Sequence, residues 1–101
     1  MITVAIVEDN QTVRNTLGEL IEATPGYRCV CTCATAKEAM VEVPRLKPEV
    51  VLMDIHLEGR MDGIEAASEI RARHQIPVVF LTAYAEDDTL RRALESRPFG
   101  Y

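Results

Sequence analysis

The fold is decided by the stretch EVVLMD at residues 49–54, in which a run of apolar residues ends in the carboxylate of Asp54. A second apolar run, MITVAIV at residues 1–7, is followed by the acidic pair Glu8 and Asp9. Near-continuous apolar runs are typical of strands that are buried on both faces of a parallel sheet. Ligands of open parallel sheets bind outside the carboxyl ends of the strands. If the two strands are neighbours, the three carboxylates share one pocket.

A pocket that holds three carboxylates needs a source of positive charge. Like charges crowded together raise one another's pKa, because each ionised group disfavours ionisation of the next. A divalent metal ion removes this penalty, and we therefore expect one between Glu8, Asp9 and Asp54. The simpler alternatives are that Asp54 caps a turn and that Glu8 and Asp9 are solvated loop charges.

Length and composition indicate one small globular domain of 101 residues, 48% hydrophobic and 27% charged. The net charge of −5 argues against direct nucleic-acid binding, which needs clustered Lys and Arg. No stretch approaches the ~18 consecutive apolar residues of a membrane span. The first residues lack the charged segment of a signal peptide, so we expect a cytoplasmic protein with no membrane contact.

Three cysteines, Cys29, Cys31 and Cys33, are spaced by two. In a regular strand this spacing places all three side chains on one face. Free cysteine behaves as a small apolar residue and is commonly buried. We therefore interpret the three as strand packing, with metal or redox chemistry as the less favoured alternative.

Strand patterns alternate with helix patterns along the whole chain. Strands are predicted at residues 2–7, 27–33, 49–54 and 78–82, with the start of a fifth at residues 99–101. Four helices are predicted between them, and the last occupies residues 85–96. This alternation predicts an α/β fold with a parallel sheet and right-handed crossovers. In the doubly wound order 2-1-3-4-5, the first and third strands are neighbours.

Cap residues and apolar spacing define the first three predicted helices. Asn10 is the predicted N-cap of the first helix, and Pro25 and Gly26 end it. Thr35 caps the second helix with Glu38 as the partner of a capping box, and Pro44 and Pro48 close it. The predicted inward residues are Val13, Leu17, Leu20, Ile21 and Thr24, then Ala36, Ala39, Met40 and Val43, then Ile64, Ala67, Ile70 and Arg71.

Five segments, in register across the whole chain, resemble the receiver domain of two-component response regulators. They are VAIVEDN (residues 4–10), LMDIHL (52–57), MDGIEA (61–66), IPVVFLTA (76–83) and PFGY (98–101). The resemblance implies a flavodoxin-like fold and a phosphorylation-dependent signalling switch. The implied partner is a sensor histidine kinase or a phosphotransfer protein. The chain is then a phosphoacceptor rather than an enzyme, with self-phosphorylation and self-dephosphorylation at most.

The same resemblance assigns roles to individual residues. Asp54 is the implied phosphoacceptor. The implied cofactor is Mg²⁺, which prefers oxygen ligands and is held by Glu8, Asp9, Asp54 and the backbone carbonyl of His56. Thr82 is implied to donate a hydrogen bond to the phosphoryl group and to act with the aromatic Tyr101 as a switch. From the residues alone, strand filler is the less favoured alternative for Thr82, whereas Tyr101 could equally be a frayed end.

The sequence departs from the family pattern after Tyr101. The family's Lys beyond the switch aromatic, most of the fifth strand and the last helix are not in this sequence. We therefore expect either that the native chain continues, or that an apolar face left open drives self-association as a dimer. Two other functions stay open: a receiver-like scaffold without phosphate turnover, and an aspartate-nucleophile phosphatase. A dinucleotide-binding fold is excluded because no GxGxxG follows the first strand.

Overall fold

The computed structural model describes residues 1–54 and 63–81, which form parallel strands alternating with helices. The elements are β1 (Ile2–Val7), α1 (Gln11–Ala23), β2 (Tyr27–Cys33), α2 (Ala36–Leu46), β3 (Val50–Asp54), α3 (Gly63–His74) and β4 (Val78–Leu81). The strand order is β2-β1-β3-β4, which confirms the predicted order for these four strands. The helix predicted at residues 85–96 and the fifth strand lie outside the described residues.

The pairing of β1 with β3 sets the position of the acidic residues. The two strands are parallel, with Val4 beside Val50 and Val7 beside Met53. Glu8 is the residue after β1, and Asp54 is the last residue of β3. The carboxyl ends of parallel strands lie at the same edge of a sheet. The register therefore brings the two acidic positions to one place.

Helices α2 and α3 cover one face of the sheet and form the main core with it. Phe80, Met53 and Ile70 are its largest fully buried side chains. Burying a side chain of this kind stabilises the fold by about 1.5–3 kcal/mol. The core comprises Ala5, Val7, Cys33, Ala36, Ala39, Val43, Val51, Met53, Ile64, Ala66, Ala67, Ile70, Ile76, Val78 and Phe80. All the inward residues predicted for these two helices belong to it except Met40, which packs against it, and Arg71, which is half-buried.

Helix α1 lies on the opposite face and buries none of its residues completely. Leu17 and Ile21 are half-buried, whereas Val13 is 41% exposed and Leu20 is 58% exposed. The inward stripe predicted for this helix is therefore only partly confirmed. None of the helices within the two described ranges is long and apolar enough to cross a membrane.

Two strand residues on the α1 face are also only half-buried. Leu52 and Val79 are paired neighbours on β3 and β4. Side chains alternate between faces along a strand, so both point away from the core that contains Val51 and Val78. An apolar strip thus runs beside α1. The expectation that this face drives self-association stays a prediction.

Helix α2 begins as its sequence predicts. The N–H of Glu38 donates to Oγ1 of Thr35 at 3.1 Å, which confirms the N-cap. The Glu38 carboxylate accepts a hydrogen bond from the N–H of Ala34 at 3.3 Å, one residue before the partner that a standard capping box uses.

Of the two prolines predicted to close α2, Pro48 does follow the end of the helix, whereas the prediction for Pro44 is wrong. The helix passes through Pro44 and ends at Leu46, and Lys47 follows in a left-handed conformation with φ of 49°. The N–H of Lys47 donates to the carbonyl of Val43 at 2.8 Å, which closes the last turn. Pro removes one backbone donor wherever it stands in a helix. Near the C-terminus, where few turns follow, the capped end of the helix tolerates that loss.

Strand β2 is irregular at its centre, and this changes the arrangement of the cysteines. Val4 pairs with Cys29 and the next residue, Ala5, pairs with Cys31, so the register shifts by one residue there. Cys29 consequently lines a surface groove with Thr32 and α1, whereas Cys31 packs against the core and Cys33 lies within it. The expectation that all three share one face is therefore wrong. All three are free thiols, and the predicted packing role is confirmed for Cys31 and Cys33.

Loss of the α2 cap should destabilise the whole domain. Thr35→Ala removes the acceptor of the Glu38 N–H, and we expect a loss of about 0.5–2 kcal/mol in the free energy of unfolding. Urea denaturation followed by circular dichroism measures it. Thr12→Ala, at an exposed position inside α1, is the matched control and should leave stability nearly unchanged. Equal stability of the two variants would contradict the role of the cap.

Candidate functional site

Three carboxylates meet at the carboxyl edge of the sheet. One oxygen from each of Glu8, Asp9 and Asp54 lies within 4.8 Å of the other two. Within the described residues, no other group of three His, Cys, Asp or Glu side chains meets this condition. The structure thus brings together the three residues that the sequence predicted to share a pocket. We call this group the acidic cluster.

The members of the acidic cluster differ in burial. Glu8 is only 9% exposed, while Asp9 and Asp54 are half-buried. Glu8 lies deepest because it directly follows β1, the strand that is flanked on both sides by β2 and β3. Asp9 is one residue further from the sheet, and Asp54 ends β3. The cluster therefore has a buried base at Glu8 and two more accessible carboxylates above it.

Glu8 is electrostatically strained in its buried position. Its Oε2 atom is buried and has no hydrogen-bond partner among the described residues. Burial raises the pKa of Glu8 from its ordinary value of 4.5 to about 8, with further increases from the carboxyl groups of Asp54 and Asp9. An isolated buried carboxylate is unfavourable unless it is paired or binds a metal. Without a cation, the buried Glu8 carboxyl group therefore keeps its proton up to about pH 8.

The donor set of the acidic cluster fits a hard divalent cation. All three side chains offer carboxylate oxygens, which are the ligands that Mg²⁺ prefers. The unpartnered Oε2 of Glu8 is the specific sign, because a cation would satisfy it directly. Within residues 1–54 and 63–81, Glu8, Asp9 and Asp54 are thus the side chains that together can hold such an ion.

The loop between β1 and α1 is fixed by several hydrogen bonds. The Oδ1 atom of Asn10 accepts from the N–H of Val13 at 3.0 Å, which confirms Asn10 as the N-cap of α1. The N–H of Glu8 donates to the carbonyl of Cys33 at 2.9 Å. Nη1 of Arg14 donates to the carbonyl of Glu8 at 2.9 Å and lies 3.4 Å from that of Asp9. Sequence reasoning missed Arg14, although a basic residue in the first turn after an acidic pair was a visible signal.

The other predicted site residues lie outside the described residues. These are His56, whose backbone carbonyl was assigned to the metal, and the two switch residues Thr82 and Tyr101. In the sequence, Thr82 directly follows Leu81. Leu81 is the last residue of β4 and pairs with Asp54. Their roles stay predictions.

Comparison with known proteins assigns this arrangement to a family. Residues 4–101 match the family model of the response regulator receiver domain. The chain belongs to this family. Receiver domains belong to two-component response regulators and are mostly non-enzymatic signalling domains. The sequence-based resemblance is thereby confirmed.

Curated relatives support the same assignment. The receiver is 38% identical over all 101 residues to an uncharacterized response regulatory protein of Yersinia pestis, covering 41% of that protein. It is 34% identical over 98 residues to the transcriptional regulatory protein YdfI of Bacillus subtilis, covering 97% of the chain and 46% of the relative. The receiver therefore spans less than half the length of these relatives.

Solved structures share the fold. The signal receiver domain of a modulated diguanylate cyclase from Desulfovibrio desulfuricans superposes with a TM-score of 0.91 at 35% identity, covering 98% of this chain and 78% of that one. A LuxR-family two-component response regulator from Aurantimonas gives 0.88 at 32% identity, covering 98% and 71%. The predicted doubly wound, flavodoxin-like fold class is thus confirmed.

The raised pKa of Glu8 should make the stability of the metal-free receiver fall with rising pH. In the unfolded chain Glu8 ionises near 4.5, whereas in the folded protein it keeps its proton until about pH 8. Its contribution to stability is therefore fully present below 4.5 and is lost as the pH rises through about 8. We expect a lower urea midpoint at about pH 8 than at about pH 5.5 in the presence of EDTA.

Two variants isolate this effect from the general charge of the protein. Glu8→Gln removes the titrating group and should flatten the difference between the two pH values. Glu19→Gln, at an exposed position on α1, changes the net charge equally and should keep the wild-type difference. If the urea midpoint of Glu8→Gln fell between the two pH values as much as that of the wild-type protein, Glu8 would not be the group responsible.

Proposed function

We propose that this receiver is a phosphorylation-dependent switch in which Asp54 accepts a phosphoryl group with the help of Mg²⁺ bound at the acidic cluster. The observation that carries the proposal is the acidic cluster, in which one carboxylate oxygen from each of Glu8, Asp9 and Asp54 lies within 4.8 Å of the other two. The buried Oε2 of Glu8, which has no hydrogen-bond partner among the described residues, adds to it. Family membership supports it, since the receiver belongs to response regulators.

Asp54 has the position that a phosphoacceptor needs. It ends β3 at the open edge of the sheet and is half-buried, so its carboxylate can meet a donor while its backbone stays held in the strand. In the proposed reaction, one carboxylate oxygen attacks the phosphorus of the donor and forms an acyl phosphate. The bond to the donor's leaving atom breaks, and the leaving group departs with the electron pair.

Charge neutralisation is the main requirement of phosphoryl transfer. When bound, Mg²⁺ supplies positive charge to the phosphoryl oxygens and to the carboxylates. Glu8, Asp9 and Asp54 would hold it, with the backbone carbonyl of His56 as a further ligand. Glu8 would give up its proton when the metal binds, because ligands must be deprotonated.

We extend the proposal to the two switch residues of the sequence analysis. Thr82 would donate its hydroxyl hydrogen to a phosphoryl oxygen, since it follows the strand that pairs with β3. Phosphorylation adds roughly −1.5 to −2 charge and three acceptor oxygens, which makes such a donor favourable. Movement of Thr82 would open space for Tyr101, and this pair would carry the signal to the surface.

Receiver domains interact with histidine kinases or phosphotransfer proteins. We propose that one of these donates the phosphoryl group to Asp54.

The cytoplasmic location and the absence of direct nucleic-acid binding remain predictions from the sequence. Some relatives in the family are enzymes, such as a protein-glutamate methylesterase of Syntrophus aciditrophicus, but this chain covers only 28% of that protein. The scaffold and phosphatase alternatives are separated by the experiment below.

Incubation with Mg²⁺ and a small acyl phosphate should add one phosphoryl group to the protein. Intact-mass spectrometry measures the adduct, which we expect in wild type and in Glu49→Gln, an exposed change at the opposite end of β3. Asp54→Asn should give none, because an amide is not a nucleophile here. Continuous release of phosphate without an adduct would favour the phosphatase, and no reaction at all would favour the scaffold.

Mg²⁺ binding should depend on the acidic cluster and release a proton near pH 7. Replacing a residue that only orients a metal ligand commonly lowers metal affinity by about 10–100-fold. Asp9→Asn alters a ligand itself, so we expect it to lower the Mg²⁺ affinity by at least about tenfold. Titration calorimetry in two buffers of different ionisation enthalpy measures the affinity and the proton released from Glu8. Glu49→Gln again serves as the control. Equal affinity of Asp9→Asn and wild type would contradict the assignment of the site.

A further inference from the structure

We propose that Arg14 is a positioning residue that sets the Mg²⁺ affinity of the acidic cluster by fixing the backbone of Glu8 and Asp9. The inference rests on the proposed function and names how that site is held. Arg14 lies in the first turn of α1, and its own N–H donates to the carbonyl of Asn10 at 2.9 Å. The backbone of Arg14 thus continues helix α1 from the loop, while the side chain of Arg14 holds the same loop.

The peptide groups around Glu8 are held from both directions. On one side, the N–H of Glu8 donates to the carbonyl of Cys33 at 2.9 Å, which ties it to β2. On the other side, Nη1 of Arg14 donates to the carbonyl of Glu8 at 2.9 Å. The same nitrogen is 3.4 Å from the carbonyl of Asp9, so one guanidinium bridges both acidic residues. Both backbone positions are thereby fixed without using either carboxylate.

This arrangement separates the charge of Arg14 from the carboxylates that bind the ion. The described hydrogen bonds of the guanidinium go to carbonyl oxygens, so the side-chain oxygens of Glu8 and Asp9 stay free of it. Charge-assisted hydrogen bonds of this kind are stronger than neutral ones. Groups that orient metal ligands from outside the ligand set commonly change affinity by about 10–100-fold. Arg14 is half-buried, which limits competition from water.

Two effects of Arg14 on Mg²⁺ have opposite signs, and this makes the inference testable. As a nearby positive charge, Arg14 repels the ion, so removing it would strengthen binding. As a clamp on the loop, it keeps the carboxylates converged, so removing it would weaken binding. We expect the second effect to win because Glu8 is buried and can reach the ion only if its backbone is in place.

The test compares three variants with the wild-type protein. Arg14→Met keeps the length of the side chain without its charge or donors, and we expect Mg²⁺ affinity to fall by about tenfold. Arg14→Lys keeps the charge and a donor, and should recover part of the loss. Arg28→Met removes a charge from an exposed residue at the amino end of β2, away from the cluster, and should bind as wild type does. Thermal melts establish that each variant is folded.

A second measurement needs no metal. The N–H of Glu8 should exchange with solvent faster in Arg14→Met than in Arg28→Met, because the loop opens more often without the clamp. Faster exchange together with weaker Mg²⁺ binding supports the inference, and Arg14→Lys supplies the comparison if Arg14→Met does not fold. Affinity that rises, or that stays within about twofold of Arg28→Met, overturns it. Wild-type protein that binds no Mg²⁺ overturns the proposed function and this inference with it.

Discussion

The parallel pairing of β1 with β3 is the constraint on which the rest of the structure depends. The register that sets Val7 beside Met53 brings Glu8 and Asp54 to one edge of the sheet. Both strands are held in place by a core on the α2 and α3 side, so their backbones cannot move apart without disturbing buried residues such as Met53. Electrostatic repulsion at the edge is thus balanced by apolar packing below it, and the fold tolerates an arrangement that isolated charges would not adopt.

The protonation of Glu8 follows from that balance. A buried carboxyl beside two others keeps its proton well above its ordinary pKa, which relieves repulsion while no cation is present. A cation held by Glu8, Asp9 and Asp54 would relieve the same repulsion by a different route, and its binding would displace the proton of Glu8. In the proposed mechanism, a proton and the metal ion would compete for Glu8, so the occupancy of the cluster would depend on pH as well as on the concentration of the ion. The proposed phosphorylation of Asp54 adds further negative charge to this place and increases the need for the cation.

Much of the fold and of the acidic cluster could be predicted from the sequence, because the decisive signals are local. Apolar runs ending in carboxylates identified β1 and β3, and the caps Asn10 and Thr35 were confirmed at the expected positions. The register shift in β2 depends on how its residues pair with β1, which spacing within one strand cannot reveal. The prediction that Pro44 ends α2 was wrong because the destabilisation caused by a proline depends on how many helical residues follow it. The left-handed turn at Lys47 sets that number. Burial of α1 was overestimated because periodicity predicts which residues of a helix face inward but not how fully they are covered.

Arg14 illustrates a different limit of sequence reasoning. A long, flexible side chain can reach many acceptors, so a position in the first helical turn does not reveal which one it chooses. In the structure, Arg14 donates to two backbone carbonyls, and none of its described hydrogen bonds goes to the carboxylates of Glu8 and Asp9. A salt bridge to Glu8 or Asp9 would have satisfied the cluster internally and removed its reason to bind a cation. By holding the loop through its carbonyls instead, Arg14 fixes the acidic residues without neutralising their carboxylates, and the proposed switch, driven by metal and phosphate, would require both.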